Sequence, residues 1–151
     1  MAMIVRIFKG VWFFSLLVTV AVLMYIYASL PETLQVGANL EMSRNGVFYT
    51  ALLILTMLTA FIFIVSRLPI ARLDYFLVWF YGLVIFLHLF VIVALQFLNL
   101  YNGLEKFDYD RIGVIIYGSL GMVVLWFSLW PVYYLLQRLS PGKAGMPDAP
   151  H

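Results

Sequence analysis

The stretch YFLVWFYGLVIFLHLFVIVALQFLN, from Tyr75 to Asn99, contains no Lys, Arg, Asp or Glu. An α-helix needs about 20 mainly apolar residues to cross a hydrocarbon layer of roughly 30 Å, so this segment predicts a membrane-spanning helix. Three more segments of the same kind surround it: Val11 to Leu30 and Gly46 to Val65 before it, Gly113 to Leu136 after it. Composition agrees, since 65% of the 151 residues are hydrophobic, 11% are charged and the mean hydropathy is +1.02. A soluble domain of this size hides only about two-thirds of its unfolded surface, too little to cover so much apolar area. The expected fold is therefore all-α: an integral membrane four-helix bundle spanning 1-139, followed by a Pro/Gly-rich tail over 140-151.

The first span follows Arg6 and Lys9, as a secretory signal would. Its apolar run, however, continues to Leu30 and meets Pro31 and Glu32, longer than the 7–15 residues typical of signal peptides and without their small-residue cleavage site. A retained first helix is expected. Short connections predict antiparallel neighbours in an up-down-up-down order. The tightest, Ser66 to Asp74, holds Pro69, which prevents the second and third helices from fusing. Pro31 to Asn45 and Leu100 to Ile112 are expected as loops on the opposite side, with Asn102-Gly103 as a turn signal in the second.

Orientation follows from basic residues near the span ends. Arg6, Lys9, Arg67, Arg72, Arg138 and Lys143 fall on one side; Arg44, Lys106 and Arg111 fall on the other. The first set is expected to face the cytoplasm, placing both termini there. Tyr27, Tyr101, Trp130, Tyr133 and Tyr134 sit near span ends, where amphipathic rings anchor at the interface.

The net charge of +2 is scattered between apolar runs, which argues against a nucleic-acid partner. With no cysteine, disulfides, thiolate metal sites and Cys nucleophiles are excluded for this chain. Glu32, Glu41, Glu105, Asp108 and Asp110 give the outer loops an acidic character, but their spacing matches no calcium loop, and no metal is expected.

At 100° per residue each span carries one small or polar stripe. Ser15, Thr19 and Ser29 lie together on the first helix, and Thr56, Thr59 and Ser66 on the second. Tyr81, His88, Gln96 and Asn99 line the third, and Tyr117, Gly118, Gly121 and Ser128 the fourth. Small residues let membrane helices approach, and hydroxyls bond across them, so Ser15, Thr19, Thr56, Gly118 and Gly121 are expected at helix contacts.

His88, in the middle of the third span, is the best candidate for chemistry. An ionisable group at that depth is costly unless paired or neutral, and such groups often mark a pathway or a cofactor. Two readings stand side by side. In the structural one, a neutral His88 bonds a Ser, Thr or carbonyl of a neighbouring helix. In the functional one it ligates haem b or bonds a quinone, with Tyr81, Gln96 and Thr59 as supporting groups. A second haem ligand is missing from the spans, since the other histidine is His151 at the end of the tail. No convergent set of nucleophile, base and acid appears, and an enzyme is not expected.

Tyr27-Ala-Ser-Leu-Pro-Glu32, Ser43-Arg-Asn-Gly-Val-Phe-Tyr49 and Phe107-Asp-Tyr-Asp-Arg-Ile-Gly-Val-Ile-Ile-Tyr117 running on to Leu125-Trp126 resemble a family of uncharacterised short bacterial membrane proteins with four crossings. The first half is also distantly similar to the N-terminal domain of SdpI-type immunity proteins. Val36-Gly37-Ala38-Asn39 stands where those proteins have a His. The resemblance implies a bacterial cytoplasmic (inner) membrane and brings no catalytic or cofactor residues. Three roles follow as expectations. The first is a non-catalytic accessory or assembly subunit of an energy-converting or secretion complex, with other integral membrane proteins and lipids as partners. The second is a small electron-transfer protein using His88, and the third an immunity or stress-response protein.

Overall fold

The helix that opens the chain, α1 (Ala2–Ser29), starts well before the expected span at Val11. Arg6 and Lys9 set the start of the expected apolar span, but both are good helix formers, so the helix begins before it. The computed structural model describes residues 2–37, 40–103 and 109–139. The expected tail over 140-151, with Lys143 and His151, lies outside them, as do Glu105, Lys106 and Asp108.

Where a plain loop was expected after Pro31, the chain forms an antiparallel hairpin of β1 (Thr33–Gly37) and β2 (Leu40–Ser43), in which Leu34 faces Met42 and Gln35 faces Glu41. Alternation explains it: Leu34 is fully buried while Thr33 and Gln35 are exposed. A two-stranded ribbon is marginal alone. This one is tied down by Asn102, whose Oδ1 accepts from the Gln35 amide at 2.7 Å and whose Nδ2 donates to the Gln35 carbonyl at 3.1 Å.

Ser43 then caps α2 (Arg44–Val65), its Oγ accepting from the Gly46 amide. A 3-10 turn begun by Pro69 (Pro69–Arg72) leads into α3 (Asp74–Tyr101), and α4 (Tyr109–Leu139) completes the chain. Among the described residues four helices are long and apolar enough to cross a membrane: Met3–Ser29, Arg44–Val65, Asp74–Tyr101 and Gly113–Leu136. The protein is an all-α, multi-pass membrane bundle.

Contacts along the helices set their directions. Trp12 meets Tyr81, Ser15 meets His88 and Ser29 meets Asn99, so α1 and α3 run side by side in the same sense. Tyr27 packs on Phe48 and bonds Asn45, so α2 runs back along α1. Phe76 packs on Trp130 and Phe86 on Trp126, so α4 runs back along α3.

The core has two apolar clusters with a polar layer between them. Near the hairpin, Leu23, Ile26, Leu30, Leu34, Ala51 and Leu95 pack together; toward the 3-10 turn, Trp12, Ile62, Val65, Phe80, Tyr81 and Val84 do so. On α1 the residues between these clusters are Ser15 and Thr19, and on α3 the residue between them is His88, all three buried.

The α4 helix is attached differently. Each of Trp79 and Trp126 donates its indole N–H to the other's backbone carbonyl, at 2.9 and 2.8 Å. Gly82 makes the approach possible: a Cβ there would lie 2.6 Å from Trp126 Cε2. Between Gly113 and Leu136 no residue is buried, so α4 lies along one flank of α3.

Candidate functional site

The polar layer is built one bond at a time. Thr19 Oγ1 donates to the Ser15 carbonyl at 2.7 Å, a bond within α1 that leaves the hydroxyl satisfied in a setting without water. Ser15 Oγ lies 2.7 Å from the Trp12 carbonyl and 2.8 Å from His88 Nδ1. A hydroxyl has one proton. If Ser15 gives it to Trp12, the carbonyl having no proton of its own, the contact with His88 requires Nδ1–H as donor. That assignment leaves Nε2 with a free lone pair, and Nε2 has no partner among the described residues; neither has Trp12 Nε1.

The structural reading of His88 is thus met in its geometry: the ring bonds a serine of a neighbouring helix. Helical periodicity places each residue on its own helix face but gives no register between two helices, so the pairing of Ser15 with His88 appears only in the fold.

The supporting groups named for a cofactor do not gather at the ring. Tyr81 is buried two turns away, its ring against Trp12 with centroids 5.9 Å apart. Gln96 is half-buried on the far side along α3, and Thr59 donates to the Leu55 carbonyl of its own helix at 2.8 Å. His88 is wholly enclosed and lines neither of the two openings that flank α3. Nε2 is covered on all sides and has no opening through which a haem or quinone could reach it, so the residues present do not fit such a group. No cluster of three metal-ligating side chains occurs among the described residues.

Of the helix contacts expected from small residues, two are made and three are not. Ser15 bonds α3, and Thr19 is buried in the core beside it with its hydroxyl turned back on α1. Thr56 is exposed and bonds back to the Leu52 carbonyl, because the buried face of α2 is the apolar row Val47, Ala51, Leu55, Ile62 and Val65. Gly118 and Gly121 are exposed with nothing within 4 Å of a built Cβ. The α3–α4 contact uses aromatic rings over Gly82, a glycine that the stripe argument passed by.

Two openings flank α3. One, of about 600 Å³, lies under the hairpin between α2, α3 and α4 and is walled by Val47, Ile54, Leu98 and Ile116. The other, of about 580 Å³, lies at the opposite end, between the 3-10 turn and the last turns of α4. Comparison of the chain with protein-family models, characterised proteins and solved structures returned no match.

Proposed function

We propose that this chain is a non-catalytic accessory or assembly subunit of a bacterial inner-membrane complex, of the energy-converting or secretion kind, with both termini in the cytoplasm. The observation that carries the reading is α4. A glycine in a helix costs about 1 kcal/mol relative to alanine, and in membranes glycines gather where backbones approach. Gly118 and Gly121 face open space in this chain, on a helix none of whose spanning residues is buried. A helix of a second membrane protein laid against that face would use both. The gathering of Arg6, Lys9, Arg67 and Arg72 at one end of the bundle supports the orientation, and the resemblance to short bacterial membrane proteins supports the compartment.

The test is purification of the full chain in mild detergent with mass spectrometry of co-eluting polypeptides. Wild-type protein is expected to carry defined membrane proteins in fixed ratio. The Gly118→Leu/Gly121→Leu variant is expected to lose them while keeping its own helix content, since a Cβ added at either glycine meets open space. Wild-type protein that elutes alone, with the variant behaving identically, overturns the reading.

The electron-transfer reading has one observation in its favour, the unpartnered Nε2 of His88, and its enclosure against it. A Soret band in purified protein that disappears in His88→Ala would replace the subunit reading; a colourless preparation removes the haem form of the alternative.

A further inference from the structure

The groove at the 3-10 end has a chemistry unlike the one under the hairpin. Its mouth is formed by Ile70, Leu73, Tyr75, Trp130, Tyr133 and Tyr134. A smaller cleft of about 190 Å³ shares Tyr75, Trp130 and Tyr133 with it and is lined further by Val78 and Leu129, nearer the middle of the spans. Tyrosine and tryptophan with one wet and one apolar edge belong at headgroup depth, and the aliphatic lining belongs at acyl depth.

The charge at this end has one dominant sign. The helix directions bring together the start of α1 with Arg6 and Lys9, the end of α2 with Arg67 beyond it, the 3-10 turn with Arg72, and the end of α4 with Arg138. Asp74 is the acidic residue there among the described residues. Two of the five bases neighbour lining residues along the chain: Arg72 stands between Ile70 and Leu73, and Arg138 lies one helical turn after Tyr134.

We propose that this groove is a binding site for an anionic phospholipid, with an acyl chain along Val78 and Leu129 and the phosphate at the level of Tyr133 and Tyr134. A partner helix would need a broad apolar face and gains nothing from concentrated positive charge. An apolar cleft that opens among tyrosines at the basic end of the bundle matches one lipid. The inference requires the membrane but not the subunit role.

The full chain, purified in mild detergent and stripped of lipid, is titrated with phosphatidylglycerol or with phosphatidylcholine of the same acyl chains, and bound lipid is read by native mass spectrometry. Phosphatidylglycerol is expected to bind at least about tenfold more tightly, and Arg72→Gln or Arg138→Gln to weaken it by about fivefold each, the effect of one basic residue near an anionic surface. Lys9→Gln removes the same charge at the same end on α1, which contributes no lining residue to the groove, and is expected to change binding less than about twofold. Ile70→Trp fills the mouth and is expected to release both lipids. Equal affinity for the two lipids, or a Lys9→Gln effect as large as that of Arg138→Gln, overturns the proposal. If Ile70→Trp loses helix content, the double arginine variant decides alone, and an unchanged preference for phosphatidylglycerol there overturns it. Loss of co-eluting proteins with lipid preference intact would separate failure of this site from failure of the subunit reading.

Discussion

The two seams along α3 differ in what holds them. Against α1, α3 is sealed: Thr19, Ile26 and His88 are fully buried, and one hydroxyl–imidazole bond joins the helices at mid-depth. Against α4 it is open: no spanning residue of α4 is buried, and the link is a reciprocal pair of indole-to-carbonyl bonds over one glycine. In hydrocarbon, apolar burial does not distinguish lipid from protein, so helix association rests on close packing and polar bonds. The first seam has close packing along its length and polar bonds at two levels, Ser15–His88 and Ser29–Asn99. The second has them at one level, which leaves the remainder of α4 available to lipids and other chains.

The contrast can be broken most directly at His88. His88→Ala is expected to cost about 3 kcal/mol, because an enclosed ring is replaced by a void and Ser15 loses its interhelical partner. Thermal unfolding in detergent measures it. A loss below about 1 kcal/mol would mean the seam does not depend on its polar layer.

Gly82→Ala probes the other seam and is expected to cost about 2 kcal/mol by overpacking. The new methyl meets an indole that cannot easily yield, since Trp126 is bonded to the Trp79 carbonyl and packed on Phe86 with centroids 5.2 Å apart. Its signature is also spectroscopic: a change in tryptophan emission as Trp126 moves, with the Ser15–His88 seam retained.

What the sequence could disclose follows from the same physics. The spans were legible almost to the residue at Val65 and Leu136, because absence of charge over about 20 residues is a one-dimensional signal. The start of α1 was not, since Arg6 and Lys9 interrupt an apolar run without ending a helix. The hairpin was hidden because its strands are short and only Leu34 carries the burial that orients them. At the candidate site, the intramembrane histidine and the Ser15 stripe were each visible, but their pairing depends on a register between helices that are far apart in sequence. Gly82 was overlooked for a related reason: its role is set by Trp126 opposite, not by small residues along its own helix.

Ser15→Ala separates the two components of the sealed seam and is expected to cost about 1 kcal/mol, the usual worth of one interhelical bond in lipid. The helix-to-helix packing survives, while His88 Nδ1 is left without its partner. If Ser15→Ala proves as costly as His88→Ala, the ring contributes through its bond and not through the space it fills.

The smallest effect tests whether a polar stripe implies a contact. Thr56 and Ser15 look alike as hydroxyls on helix faces, yet Thr56 bonds its own helix at the Leu52 carbonyl, 2.8 Å away, while Ser15 also reaches His88 on α3. Thr56→Val removes a bond that α2 already makes through its backbone ladder and puts a methyl where the chain is exposed, so stability in detergent is expected to change by less than about 0.5 kcal/mol. A loss matching that of Ser15→Ala would show that α2 has a polar contact with another helix. The distinction between back-bonded and cross-bonded hydroxyls would then fail for this bundle.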